Sequence, residues 1–329
     1  MTAGSGSEPV VTIALDPDRA AGALIEDVRR GLGSRPRTLS PKWLYDDVVS
    51  SLFEAITRLP EYYPTSRERE ILRRHSADIV SACDATTLVE LGSGTSDKTR
   101  LLLDAFTTHG RLDRFVAVDV SEGTLRDAAS RLSQCYPSLR IEALVGDFTL
   151  HLGRLPQGGR RLVAFLGGTI CNFYVEERAA FLGALADSLE SDDFVLLGTD
   201  LVKSADRLIA AYDDGRGVTA AFISNCLQVL NRELGADFDL DAFSYVPFWD
   251  PRAERMDLRL RADMPQRVTI PGADLDVDLA QGEEIRIEIS AKFRLDSLAE
   301  ELAAVGFAVE RTWTDPAGDF ALTLARRAA

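Results

Sequence analysis

The stretch Thr87-Leu-Val-Glu-Leu-Gly-Ser-Gly-Thr-Ser-Asp-Lys98 constrains this chain more than any other. Its first half, Thr87–Leu91, is an apolar run long enough for one buried strand. Its second half is a glycine turn, and the pattern from Thr99 to Ala105 is helical. Strand, glycine turn and helix together open a nucleotide-binding βα unit. Gly92 and Gly94 let the backbone turn tightly and come close to a ligand. A dinucleotide fingerprint would carry a third glycine where Asp97 stands, which disfavours a dehydrogenase. The plainer alternative is an ordinary glycine-rich turn with no ligand.

The same alternation continues downstream. Phe115–Val120 ends in Asp119, Ile141–Val145 leads into Gly146-Asp147-Phe148, Leu162–Leu166 into Gly167-Gly168-Thr169, and Phe194–Gly198 into Thr199-Asp200. Helical patterns at Glu122–Tyr136 and Val175–Leu189 lie between them. Continuous apolar strands alternating with helices predict a parallel sheet covered on both faces. Ligands of such sheets bind beyond the carboxyl ends of the strands. Gly92, Asp119, Asp147, Asn172 and Asp200 fall there. One polar strand end means little, because polar residues end strands anyway; five together favour a site.

The pattern breaks over 202–292. Here a helix over Val218–Leu234 is followed by strands at Met256–Ala262, Arg267–Ile270, Leu275–Leu279 and Glu284–Phe293. Alternation in Ile285-Arg-Ile-Glu-Ile-Ser290 predicts a half-buried strand with Glu288 and Ser290 on one face. A helix over Leu295–Val305 and two strands, Ala308–Thr312 and Phe320–Ala325, close the chain. At the other end, helices are predicted over Pro17–Leu32, over Val48–Ile56 and from Ser66 onward. Leu59–Thr65 holds two prolines and two tyrosines and reads as non-helical, either a linker or a lid. The expected division is a core of 66–201 and 293–329, with 1–65 and 202–292 forming a second, α+β, substrate-binding domain. Met1 to Glu8 is rich in glycine and serine and is expected to be disordered.

Composition narrows the partners. A net charge of −15 argues against nucleic acid, which needs a basic surface. No apolar run is long enough to span a bilayer, and Met1 begins no signal-peptide pattern. The four cysteines and three histidines are scattered without metal-ligand spacing, so no metal is expected. Reduced thiols fit a cytoplasmic protein. A monomer is expected.

An acidic residue, Glu90, followed by Gly-x-Gly resembles the first motif of class I S-adenosylmethionine (AdoMet) methyltransferases. A βα series closed by a terminal hairpin resembles their seven-stranded, Rossmann-like sheet, whose last strand is antiparallel. The likeness sharpens in Pro41-Lys-Trp-Leu-Tyr45-Asp, Leu59-Pro-Glu-Tyr-Tyr-Pro-Thr65, Gly198-Thr-Asp-Leu-Val-Lys203, Ala211-Tyr-Asp-Asp214, Asn231-Arg-Glu-Leu234 and Trp313-Thr-Asp315. With these, the chain from about Asp16 to Leu324 resembles the AdoMet-dependent histidine Nα-methyltransferases of ergothioneine biosynthesis.

That resemblance implies the following roles. Gly92, Lys98, Asp119, Asp147 and Phe148 match cofactor positions, with Asp119 suited to the ribose, Asp147 to the adenine amino group and Phe148 to the ring. Tyr45, Tyr62, Asn172, Tyr212, Glu288 and Ser290 match the amino-acid pocket. Asn172 and Tyr212 would hold the carboxylate, Tyr45 and Asn172 would lie near the reacting amine, and Glu288 and Ser290 would hold the imidazole with Tyr62 along it. The implied reaction moves three methyl groups to the histidine amine, giving trimethylhistidine (hercynine) and S-adenosylhomocysteine. The sequence departs from the family at Cys171, usually glycine, and at Leu258, where a methionine is expected; Ile223 and Cys226 alter a familiar helix. These bear on specificity. The rivals are a methyltransferase for tryptophan or tyrosine and a non-catalytic AdoMet-binding regulator. Two imidazole partners, Glu288 and Ser290, argue against the first, and an intact set of Tyr45, Asp119, Asp147 and Asn172 against the second. Glu288 has a structural alternative, a salt bridge to Arg286 or Lys292.

Overall fold

The computed structural model describes residues 8–40, 42 and 47–328. Tyr45 and residues 1–7 lie outside the described residues, so neither the role expected of Tyr45 nor the disorder expected at the start is addressed by it. The elements begin β1 (Val10–Ile13), α1 (Pro17–Gly33), β2 (Arg37–Thr38), α2 (Asp47–Ile56), α3 (Tyr63–Cys83), β3 (Thr87–Leu91), α4 (Arg100–His109), β4 (Arg114–Asp119) and α5 (Glu122–Cys135). They continue β5 (Arg140–Val145), β6 (Arg161–Phe165), α6 (Val175–Ser188), β7 (Phe194–Asp200), α7 (Ala205–Tyr212), α8 (Val218–Leu234), β8 (Phe243–Asp250) and β9 (Arg255–Ala262). The last are β10 (Gln266–Ile270), β11 (Leu275–Leu279), β12 (Glu284–Ala291), α9 (Leu295–Ala304), β13 (Phe307–Thr314) and β14 (Phe320–Arg327).

Two compact units emerge, one of Met1–Leu15, Pro64–Val202 and Phe293–Ala329, the other of Asp16–Tyr63 and Lys203–Lys292. The first unit is an α/β class I methyltransferase fold. Its sheet runs β1-β5-β4-β3-β6-β7-β14-β13, parallel from β1 through β7 and antiparallel for the last two strands. All five residues of β3 and all five of β6 are buried, as strands covered on both faces must be. Leu88, Phe115, Ile141, Leu162, Leu196 and Leu322 pack with Leu72 of α3, Phe106 of α4 and Leu125 of α5. Each such side chain contributes about 1.5–3 kcal/mol by leaving water. At the amino end of β6, away from the strand ends expected to bind ligand, Arg161 and Asp193 form a fully buried pair. Nε donates to Asp193 Oδ2 at 2.8 Å, and the two Nη atoms reach Pro156 and Ser188 carbonyls at 3.2 and 3.1 Å, so the charge is fully partnered.

Two corrections follow. The sheet has eight strands rather than seven, because Val10–Ile13 lies parallel to β5 at its edge, with Ala14 N–H continuing the ladder to Val145 at 2.8 Å. This β-branched run covers backbone groups that β5 would otherwise leave unpaired, and so Val10–Ile13 belongs to the first unit. Second, α3 starts at Tyr63 and not at Ser66. Pro64 is no obstacle, because a first-turn residue needs no N–H and its φ is already helical.

The second unit holds a four-stranded sheet, β2-β12-β9-β8, a hairpin of β10 and β11, and helices α1, α2, α7 and α8. Val28, Leu32, Phe222, Leu227, Met256, Leu260 and Ile285 form its core, and Ile223 and Cys226 of α8 pack within it. Strand β8 had no sequence signal because Pro247 interrupts it; β8 is an edge strand, where a missing N–H is tolerated. Among the described residues no helix is long and apolar enough to cross a membrane, and no cluster of side chains could hold a metal.

Candidate functional site

In the first unit the chain leaves β3 through a turn in which Gly92, Gly94 and Ser96 have φ of 66°, 50° and 55°. Only glycine adopts the first two at no steric cost. The turn is tied to β4: Gly92 N–H donates to Val118 O and Gly94 N–H to Asp119 Oδ2, both at 2.8 Å. Asp119 Oδ1 accepts from Ser121 N–H at 3.0 Å, at the start of α5. Asp119 therefore splints the glycine turn to the next helix. Asp147, just past β5, accepts the Thr149 N–H and hydroxyl on Oδ1 at 2.8 and 2.6 Å. Phe148 is half-buried among Phe165, Phe181 and Phe173, with ring centres 5.1, 5.8 and 6.5 Å away. A Cβ at Gly92 would lie 3.6 Å from the Phe148 ring, so the turn and the ring are neighbours. Asn172 ends a 3₁₀ turn, Thr169–Asn172, entered through Gly168 at φ 69°, and the Cys171 beside it is buried.

Two carboxylates beneath the turn are buried. Glu90 accepts the Thr99 hydroxyl on Oε1, while Oε2 has no hydrogen-bond partner among the described residues. Burial pushes its carboxyl up to about 7, against the opposing pull of Thr99 and of the Lys98 charge. Glu68, on α3, was not foreseen. Its side chain is 0% exposed, it pairs with the Lys98 ammonium, and it accepts the Gly167 N–H at 2.8 and 3.0 Å. A Cβ on Gly198 would collide with its Oε1. Lys98, expected on the cofactor, is thus held to Glu68. A signal was present: Glu68 lies one turn before Leu72, on the apolar stripe of its helix, where a solvated glutamate does not belong.

The second unit brings together Tyr62, Tyr212, Glu288 and Ser290. A β-bulge between Arg286 and Glu288 sets the geometry. Before it, Arg286 pairs with Arg259 and Glu284 with Arg261; after it, Glu288 pairs with Leu258 and Ser290 with Met256. The extra residue moves Glu288 and Ser290 to the face of β12 that opposes Leu258 and Met256, both buried. Strict alternation would have left Glu288 beside the arginines. Tyr212 donates its hydroxyl to Ser290 Oγ at 2.7 Å, and Lys292 donates to Ser290 Oγ at 2.7 Å and to Tyr212 OH at 2.9 Å. Tyr62 meets the Tyr212 ring edge-on at 6.1 Å. Tyr245 OH donates to the Tyr212 carbonyl at 2.9 Å. Burial, then the Glu288 charge, holds its phenol well above the usual range. Asp214 caps α8 by accepting from Arg216, Val218 and Thr219 N–H at 3.1, 3.0 and 2.8 Å, which anchors the chain just after Tyr212.

Other shared motifs turn out to be architectural. Asn231 clamps Phe238 through both amide ends at 2.8 and 3.0 Å. Asp315 accepts from Ala317, Asp319 and Phe320 N–H at 2.9, 2.8 and 2.8 Å and so shapes the terminal hairpin turn.

Comparison with known proteins agrees with this layout. The model of the family described as "Histidine-specific methyltransferase, SAM-dependent" matches residues 24–327. The chain is 55% identical over 313 residues to a histidine N-alpha-methyltransferase of Mycolicibacterium smegmatis, covering 95% of this chain and 98% of that protein. It is 53% identical over 313 residues to the protein of the same name from Mycobacterium tuberculosis, with the same shares covered. It is also 26% identical over 329 residues to an L-tryptophan methyltransferase of Psilocybe serbica, covering 91% of this chain and 90% of that one. The chain belongs to the family of histidine-specific, AdoMet-dependent methyltransferases.

Proposed function

We propose that this protein methylates the α-amino group of L-histidine three times, giving trimethylhistidine for ergothioneine biosynthesis. The observation that carries the reading is the carboxylate and hydroxyl of Glu288 and Ser290 on one face of β12, with Ser290 wired to Tyr212, in a chain of this family. An imidazole offers two nitrogens to such a pair, whereas an indole offers one N–H.

AdoMet, when bound, supplies an electrophilic methyl group on its sulfonium. Asp119 accepts from the ribose hydroxyls, Asp147 from the adenine amino group, and Phe148 flanks the ring. Gly92 lets backbone come close, and Lys98, steadied by Glu68, faces the methionine carboxylate. Glu90, buried beneath the turn and bonded to Thr99, braces the loop that meets the cofactor. On the substrate, Asn172 holds the carboxylate and Tyr62 lies along the ring, while the Tyr212 hydroxyl, expected on the carboxylate, donates to Ser290 instead. The resemblance gives Tyr45 the task of orienting the amine. Catalysis is orientation and exclusion of water, with no metal. The amine must be neutral before each attack; water takes the proton, so the rate rises with pH between about 6 and 9. We further propose that the second unit is the substrate domain and that the enzyme works as a cytoplasmic monomer.

The test is incubation with labelled AdoMet and each of the twenty amino acids, followed by product mass. Histidine gaining up to three methyl groups is the expected result; label on tryptophan instead, as in the Psilocybe relative, would overturn the substrate assignment.

A further inference from the structure

Lys292 is buried, yet it lies outside the residues assigned above to the substrate. Its ammonium donates to Ser290 Oγ at 2.7 Å and to Tyr212 OH at 2.9 Å, and Tyr212 OH donates to the same Ser290 oxygen at 2.7 Å. A hydroxyl has one proton and two lone pairs. With Lys292 and Tyr212 both donating to it, the Ser290 oxygen has its accepting capacity filled. Ser290 can then act toward a ligand only as a donor. Two residues away on the same face, the Glu288 carboxylate can only accept.

We propose that Lys292 is a positioning residue that locks Ser290 as a donor, so that this wall of the second unit reads a neutral imidazole in one tautomer and rejects the imidazolium. The inference rests on the histidine reading. A neutral ring carries one N–H and one lone pair, which matches Glu288 as acceptor and Ser290 as donor. An imidazolium carries two N–H groups and would set one of them against the Ser290 proton. The positive charge of Lys292, one hydroxyl away, adds to the rejection.

Among the described residues, the other charged and titratable groups around this wall come from β12, α7 with the residues after it, and β8, together with Tyr62, whose neutral ring meets Tyr212 edge-on. Glu288, on β12 itself, favours the cationic ring and works against the lock. Tyr212 ends α7 and is already spent on Ser290. Asp213 follows it, and the Asp214 carboxylate is engaged by three backbone N–H groups. Tyr245 of β8 keeps its proton, for the reasons of burial and Glu288 charge given above. From β9, Met256 and Leu258 bring no charge. Without Lys292, Ser290 could rotate to accept, and Glu288 would then bind the cation well. The balance therefore turns on one ammonium.

The experiment is a pH titration of ring-¹⁵N-labelled L-histidine bound to the full-length protein with S-adenosylhomocysteine, read by the nitrogen chemical shifts. In the wild type the bound ring stays neutral, one nitrogen of each type, down to about pH 5.5, against a midpoint of about 6.5 for the free ring. That is a tenfold bias against the imidazolium. In Lys292→Met the midpoint returns to the free value or exceeds it. Lys292→Arg, which keeps the charge and the donors, stays low. A merely structural lysine would lower affinity or melting temperature without moving this midpoint. If the lysine variants do not fold, Ser290→Ala serves instead, since removing the donor also raises the midpoint. A wild-type midpoint at or above the free value, or one that Lys292→Met leaves unchanged, overturns the inference alone. Absence of saturable histidine binding by the wild type overturns the histidine reading, and the inference with it.

Discussion

The two units are built from different materials. In the first, buried and half-buried carboxylates are fixed by backbone: Gly94 and Ser121 N–H groups hold Asp119 at the end of β4, and Gly167 N–H holds Glu68 of α3. In the second, a triangle of side chains joins Tyr212, at the end of α7, to Ser290 of β12 and Lys292 just after it, on a strand whose register slips by one residue. Backbone-held sites are stiff, and losing a buried charge there threatens the fold. Side-chain networks can be retuned one residue at a time, so a change there should move specificity first.

The largest expected effect tests the stiff half. Glu68→Ala strands the Lys98 ammonium and leaves Gly167 N–H without its acceptor. Breaking a buried pair this way costs about 3–5 kcal/mol, so denaturant unfolding should show a large loss together with weak AdoMet binding. A variant as stable as the parent would erase the contrast between the units.

Glu90→Gln should do the opposite. The folded carboxyl is pushed up to about 7, so between about 4.5 and 7 the unfolded chain ionises while the folded one keeps its proton. Stability is therefore lost as pH rises through that window, by about 3 kcal/mol at most. The variant should be more stable than the parent at pH 8, equal to it near pH 4, and poorer at binding AdoMet. Parallel pH–stability curves for the two proteins would show that Glu90 carries no such burden.

On the retunable side, Glu288→Ala should cost roughly 2–3 kcal/mol in histidine binding with melting temperature held. Because the freed space loses a charge that needs a partner, kcat/KM for tryptophan should rise relative to histidine. An unchanged ratio would make Glu288 structural. The smallest effect should come from Asp119→Ala. Calorimetry should register a roughly ten- to hundredfold loss of AdoMet affinity, about 1.5–3 kcal/mol, with histidine affinity little changed. Equal losses for both ligands would mean that the turn itself has collapsed.

Legibility followed the same divide. The βα series was readable because strands buried on both faces are continuous apolar runs, and α8 because its apolar period is long. The strand-end residues Asp119, Asp147 and Asn172 followed from topology. What escaped had weak local signals: β1 is four exposed-edge residues, β8 contains Pro247, and Tyr63-Pro64 looked like a break although it begins a helix. Glu68 was hidden because a carboxylate in a charged helix reads as solvated unless its place on the apolar stripe is noticed. Lys292 appeared only as a possible partner of Glu288, since its bonds to Ser290 and Tyr212 depend on tertiary geometry.

The bulge at Ile287 bears on how such an enzyme could diverge. Side chains on a strand change faces with every residue, so a single-codon deletion there would carry Glu288 and Ser290 away from Leu258 and Met256 without altering the identity of either. On the proposed role of Glu288 and Ser290, substrate choice is thus exposed to insertions and deletions as much as to substitutions. A comparison of homologues that scores only identities at aligned columns would record both residues as retained while the wall they form had turned inside out.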